Sequence, residues 1–480
     1  MDFSELPDNV LLDIFDFCRK NYSNHSSNFP VWEWHILVHV CRRWRQIVFA
    51  SPLRLELRIL CTSRTPVRKN LDIWPALPIS VDYDPSHYWT RGNNVSNEED
   101  NIITALEHFD RVCDVSLAVT GSELEKIIPV MKKPFPELTS LSIWLEDGNP
   151  PILPVEFLGA SAPCLQSIYL GGISFPALPM LLLSTSNLVF LDLREIPPTG
   201  YISPQAMVAG LTALPKLKSF IIEFQLAIPR PDLIHPPPVT WTVLPALTSF
   251  RFKGASEYLE DLVAGIDAPQ LNEIYIYYLN QLVDFQVAQL SKFIRRSVGP
   301  KLTLFNHAKI DFQSYKVMFY TSRLAKDPSP EPKPLPFVTT TILIFCQGID
   351  WQVSHMAQVL NQFSAALSSV VHLKLNLGAH MEDHEVEGTD VEWLHLLHQF
   401  STMRTLHISW RLARHVTSAL EDMTAEMVAE AFPSLDLIYI KDQPASSVEK
   451  FVAARKLSGR PVTVLDLDAE MEFEERLLSY

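Results

Sequence analysis

From residue 110 onward one pattern of apolar and polar positions keeps returning along the chain. A proline, any residue and an apolar residue lead into the alternation L-x-x-L-x-L. Six copies carry the proline: FPELTSLSI (135–143), APCLQSIYL (162–170), LPKLKSFII (214–222), LPALTSFRF (244–252), APQLNEIYI (268–276) and FPSLDLIYI (432–440). Four lack it: DRVCDVSL (110–117), TSNLVFLDL (185–193), SSVVHLKL (368–375) and STMRTLHI (401–408). Strict alternation over so few residues predicts a strand with one apolar face. Between the strands lie helix-like runs: VEFLGASA, QAMVAGLTA, YLEDLVAGI, WLHLLHQF and AEMVAEAF. Proline after such a run stops the helix, and it is harmless if it precedes the first ladder bond of the strand.

The anchor positions are Val112, Leu138, Leu165, Leu188, Leu217, Leu247, Leu271, Val370, Met403 and Leu435. Their first run of intervals is 26, 27, 23, 29, 30 and 24 residues, close to the period of leucine-rich repeats. A single strand–helix unit cannot cover its own apolar face, so neighbours must stack. The expected fold is α/β: a curved leucine-rich-repeat-like solenoid, parallel strands inside and helices outside. The array is expected over 110–465, and the stretch from Leu271 to Val370 is too long for one repeat. KLTLF (301–305) and TTILIF (340–345) are the irregular rungs available to fill it. The residue between the two strand apolars then faces the open side. Those residues are Ser142, Tyr169, Asp192, Ile221, Arg251, Tyr275, Lys374, His407 and Tyr439. Tyrosine and arginine are common anchors of protein recognition. Tyr169, Asp192, Arg251, Tyr275, Lys374, His407 and Tyr439 are therefore the candidate contacts to a protein substrate.

The first sixty residues follow a different period. In ELPDNVLLDIFDF, Pro7 suits a first helical turn, and Val10, Leu11, Ile14 and Phe15 share one helical face. A second apolar helix is expected in VWEWHILVHVCRRWRQIVF, with Trp34, Leu37, Val38, Cys41, Trp44 and Val48 on a stripe. Two short helices cannot bury that much apolar surface alone, and surface left open marks a partner site. Leu6-Pro7 with Val10, Leu11, Ile14 and Phe15, followed by Val40-Cys41-Arg42-Arg43-Trp44-Arg45, resembles the F-box. The segment after it, SPLRLELRILCTSRTPVRKNLDIWPALPI, is similar to the corresponding segment of the large F-box families of mushroom-type fungi. The resemblance implies a short all-α module over 1–60 that docks on a Skp-type adaptor and, through it, on a cullin–RING ubiquitin ligase. It assigns the adaptor contact to Leu6, Pro7, Val10, Leu11, Ile14, Phe15, Leu37, Val40, Cys41 and Trp44. The segment 19–31 is longer than the usual loop between the first two F-box helices. Residues 61–109 are expected to link or cap.

Composition narrows the chemistry. With 47% hydrophobic and 20% charged residues the chain is that of a packed protein. A net charge of −15 argues against nucleic acid as a partner, and Asp466, Asp468, Glu470, Glu472, Glu474 and Glu475 make 466–480 an acidic tail. The most apolar stretch, Phe175 to Leu193, is broken by prolines and polar residues, so no membrane span is expected. None of the six cysteines forms a C-x-x-C pair, and a cytosolic or nuclear protein with reduced thiols is expected. No phosphate loop, dinucleotide fingerprint or nucleophile elbow occurs, so no enzyme, cofactor or metal is expected. His380/His384 sit in an acidic insert, while His35/His39 and His395/His398 suit helix surfaces.

Overall fold

The computed structural model describes residues 6–14, 40–50, 57–63, 65–73, 77–85, 95–148, 150–227, 241–279, 287–298, 306–322, 339–346, 349–363, 367–378, 390–421, 423, 432–440 and 448–466. The fold is mixed α/β, with mostly parallel strands. The chain forms two compact units, Met1–Ile202 and Ser203–Tyr480.

The first unit carries six strands: β1 (Leu57–Leu60), β2 (Ile79–Tyr83), β3 (Val112–Val119), β4 (Ser140–Leu145), β5 (Ser167–Gly171) and β6 (Phe190–Ile196). They pair in sequence order and every pair is parallel. The sheet therefore begins at Leu57, inside the segment expected to be a linker. LRIL ends the alternation LRLELRI (53–59) and Pro75-Ala76-Leu77 leads into ISVDY, so the sequence carried a strand signal for both. The helices Val67–Ile73, Val95–Leu106 and Gly121–Ile127 pack in succession. They lie along the apolar side of the sheet.

In the second unit the strands are β7 (Ser219–Phe224), β8 (Thr242–Val243), β9 (Ser249–Gly254), β10 (Ile266–Asp267), β11 (Glu273–Tyr278), β12 (His307–Gln313), β13 (Lys316–Ser322), β14 (Thr339–Phe345), β15 (His372–Leu377), β16 (Thr405–Ile408), β17 (Leu437–Ile440) and β18 (Thr463–Asp466). The order is β7-β9-β11-β14-β13-β12-β15-β16-β17-β18, with β8 and β10 paired separately. TTILIF is a rung, as expected. KLTLF lies outside the described residues. The long interval also holds something periodicity did not foresee. β12 and β13 form an antiparallel hairpin, and β13 runs antiparallel to β14. β14 lies beside β11 and β12 beside β15, both parallel. The helices Pro204–Leu211, Ser256–Ala264 and Ala288–Val298 pack in succession. So do Ile349–Asn361, Asp390–His398, Trp410–Glu421 and Glu449–Leu457.

All ten anchors are fully buried, and their local geometry shows what the proline does. The N–H groups of Leu138, Leu165, Leu217, Leu247, Leu271 and Leu435 donate to the carbonyls of Phe135, Ala162, Leu214, Leu244, Ala268 and Phe432, at 3.3, 3.2, 3.3, 3.2, 3.1 and 3.2 Å. Each is an i to i+3 bond with proline second in the turn, the place its fixed φ favours. Leu188, Val370 and Met403 close the same turn without proline. The residue after each anchor then bonds the preceding rung, as in Thr139 to Cys113 at 2.8 Å and Gln166 to Thr139 at 2.7 Å. The proline is thus part of a β-turn that aims the strand, and the strand itself begins two residues past the anchor. One expected helix is absent. VEFLGASA makes only a 3-10 turn, Phe157–Ala160, with positive φ at Leu158, Gly159 and Ala160. A Cβ on Gly159 would stand 2.9 Å from the Pro134 backbone, so the chain there needs glycine.

Candidate functional site

Two surfaces follow from the expected residues. The first is N-terminal. Residues 8–14 are helical, opened by bonds from the N–H groups of Val10 and Leu11 to the Pro7 carbonyl, both 3.1 Å. The helix Arg42–Ala50 follows Val40 and Cys41, and the Trp44 N–H donates to the Cys41 sulfur at 3.4 Å. The two motif segments meet: Arg43 donates to the Asp8 carboxylate at 2.7 Å and to the Leu6 carbonyl. Leu11 is 0% exposed and Ile47 is buried. Leu6, Val10, Ile14 and Trp44 are half-buried, Pro7 and Cys41 are exposed, and Val40 is 55% exposed. Phe15, Leu37 and the long loop 19–31 lie outside the described residues.

The second surface is the strand face opposite the helices. Along β4, β9, β11 and β15 one residue parity is buried and the other is open or half-open, while β7, β12 and β14 bury three residues in a row toward their far ends. In the first unit, register aligns Asp82, Ser116, Ser142, Tyr169 and Asp192 in one row. Arg58 pairs with Asp82, and Arg194 binds Asp192 by two bonds of 2.9 and 3.0 Å. Trp144 stacks on Tyr169 with centroids 6.1 Å apart.

In the second unit, register makes one row of Ile221, Arg251, Tyr275, Thr341, Tyr320, Lys309, Lys374, His407, Tyr439 and Leu465. All six residues expected to face the open side of this unit belong to it. The hairpin contributes Tyr320 and Lys309, which the irregular interval hid from a period search. The alternation in HAKIDFQ and KVMFYTS was the signal that held them. The Arg251 guanidinium lies 2.7 Å from Glu223 and 4.3 Å from the Tyr275 ring centroid. Lys309 pairs with Asp311 at 2.6 Å, and Asn376 donates to the same carboxylate at 2.9 Å.

Two stacked pairs lie beside Lys374: His307 on His372, centroids 4.3 Å apart, and His407 on Tyr439, 4.4 Å apart. His307, His372, Lys374, Thr405, His407 and Tyr439 line a depression of about 260 Å³, floored by Ala308, Leu373 and Leu437. Burial first, and then His372 and His407, push the His307 imidazole down to about 4. Burial first, and then Lys374 and His372, do the same to His407. Both rings are neutral at pH 7. His307, His372 and Thr405 come from the row next to the expected one, two residues toward the strand start. HLKLNL carries His372 on the same face as Lys374, so strand alternation pointed to it.

No group of three or more His, Cys, Asp or Glu among the described residues is placed to hold a metal ion. His380 and His384 lie outside the described residues, and His395 and His398 are on the helix Asp390–His398. No described helix is long and apolar enough to cross a membrane. Five cysteines, Cys41, Cys61, Cys113, Cys164 and Cys346, are free thiols. No protein-family model matches the chain, and no curated protein matches its sequence.

Proposed function

We propose that the protein is a substrate receptor of an Skp–cullin–F-box ubiquitin ligase, built as an N-terminal adaptor-binding module and a curved leucine-rich-repeat-like solenoid. The observation that carries this reading is the meeting of the two motif segments. Leu6-Pro7-Asp8 and Val40 to Trp44 lie thirty-odd residues apart in sequence, yet Arg43 ties them together. Apolar side chains remain open beside the tie, at Val40 and in part at Ile14 and Trp44. Apolar surface next to a structured ion pair suits docking of a second polypeptide. The receptor makes and breaks no bond. It holds a target near the ubiquitin-carrying enzyme at an effective concentration on the order of mM. Aromatic and charged residues in one row of the second unit supply the target face. Such a receptor works in the cytosol or nucleus.

Burial of Leu11 and Ile47 favours a second reading, in which the N-terminal helices are a cap that shields the first rung of a scaffold. Co-purification with a Skp-type adaptor separates the two. A receptor captures the adaptor, and Ile14→Asp combined with Trp44→Ala abolishes capture while the Tm stays put. A cap captures nothing, and the same double variant lowers the Tm.

A further inference from the structure

We propose that the depression around Lys374 binds a carboxylate side chain from an acidic segment of the target protein. The inference rests on the receptor reading, and it adds the chemistry of the target.

Cations on the open row of the second unit are mostly answered within the unit. Arg251 has Glu223, and Lys309 has Asp311. Asp311 lies close by on the strand next to that of Lys374, yet it is engaged by Lys309 and Asn376. Lys374 has no carboxylate partner among the described residues. Its cross-strand and same-strand neighbours on this face are Lys309, His407, His372 and Asn376. In a chain with net charge −15, none of the nine residues lining the depression is acidic. A half-buried ammonium held among neutral imidazoles is electrostatically costly, and an incoming anion offsets that cost.

The donor set selects the anion. Lysine is a point charge, and no arginine fork stands in the depression to grip a dianion by two parallel bonds. A neutral imidazole offers one N–H, and the Thr405 hydroxyl offers one. One full positive charge with a few single donors suits a monoanionic carboxylate. The stacked walls of His307 on His372 and His407 on Tyr439 leave an apolar slot for the stem of a glutamate or aspartate.

Binding must also couple to protons. A carboxylate beside His407 or His307 stabilises the imidazolium, raising ring pKa values that burial holds low, helped at His407 by Lys374 and His372 and at His307 by His372 and His407. The complex takes up protons, so affinity rises as pH falls.

The test is fluorescence anisotropy with the full chain and a fluorescein-labelled decapeptide of alternating Glu and Ala. Expected are saturable binding in physiological salt, at least tenfold weakening in Lys374→Gln, and severalfold tightening from pH 7.5 to 5.5 that His407→Gln reduces. A Gln-for-Glu peptide should not bind. The proposal is overturned if the peptide does not saturate, or if Lys374→Gln leaves the Kd unchanged. Tenfold tighter binding of a phosphoserine version would overturn the choice of carboxylate. Binding seen only after removal of residues 467–480 would assign the depression to the chain's own acidic tail, and overturn the assignment to a target. Adaptor capture by the same preparations reports on the receptor reading separately, so the two failures are distinguishable.

Discussion

The two units share a rung and differ in what the rung presents. Both bury an anchor behind a tight turn, and both alternate buried and half-open residues along the strand. On the first unit the open row is Asp82, Ser116, Ser142, Tyr169 and Asp192, acidic around one aromatic, and its arginines neutralise its own aspartates. The second unit's row is aromatic and basic, and among the described residues it leaves Lys374 without a carboxylate. Connections vary within the first unit, from the twelve-residue helix Val95–Leu106 to the four-residue turn Phe157–Ala160 and a five-residue helix between β5 and β6. The second unit uses helices of up to thirteen residues. Burial is thus common to both units, while the chemistry each presents is written on the positions that burial leaves free.

The largest expected effects ask whether the buried side is the same in both units. Leu188→Ala in the first unit and Leu406→Ala in the second each remove a fully buried side chain, and each should cost about 2–5 kcal/mol in urea unfolding. A markedly smaller cost in one unit would break the equivalence. Next comes a tie that marks the last rungs. Arg455, 1% exposed, donates to the Phe432 and Leu435 carbonyls, both at 2.9 Å. Arg455→Met removes both bonds, leaving the Phe432 carbonyl only the Leu435 N–H, and should cost roughly 1–3 kcal/mol by the same measurement. Its counterpart in the first unit, Arg111 to the Leu77 carbonyl at 2.8 Å, is only part-buried, so Arg111→Met should cost less.

Acid sensitivity sharpens the contrast in chemistry. The folded His407 ring titrates near 4, below its ordinary value of 6.5. The unfolded chain therefore binds more protons between those values. The stability tied to this ring is complete above pH 6.5 and is lost as pH falls toward 4. Comparing ΔG at pH 7 and pH 5, His407→Gln should lose about 2 kcal/mol less than the wild type. Glu260 acts in the opposite sense: burial raises it to about 7 although it accepts the N–H groups of Gln289 and Leu290. Its contribution is present at pH 4.5 and declines as pH rises through 7, and Glu260→Gln should flatten that part of the curve. Glu223 in the second unit is buried, so Glu223→Gln should cost about 1–3 kcal/mol, and it frees Arg251 on the proposed target face. The smallest effect belongs to the more exposed ion pair: Asp192→Asn in the first unit should change stability by less than about 1 kcal/mol.

Much of the rung was legible in the chain itself. The L-x-x-L-x-L phrase located every anchor because a strand's period of two puts the same positions inside each time. The open row followed from the same parity, and Arg251, Tyr275, Lys374, His407 and Tyr439 do share one register. The antiparallel hairpin was not legible, because a search for a fixed period discards an interval that breaks it. β1 and β2 were legible in part, from the alternation LRLELRI and from Pro75-Ala76-Leu77 ahead of ISVDY.

By itself, the sequence determined which side chains are buried and which face outward, since alternation is local and needs no knowledge of neighbours. Only the tertiary structure decided which outward residues become partners. Glu223 reaches Arg251, Asn376 finds Asp311, and Arg43 finds Asp8. Each depends on which strand or helix lies alongside, and at what register, over separations of 28, 65 and 35 residues. Pairs two apart on one strand, Asp192–Arg194 and Lys309–Asp311, are local, but these longer ties are set across the fold, whereas the apolar pattern is set along the chain.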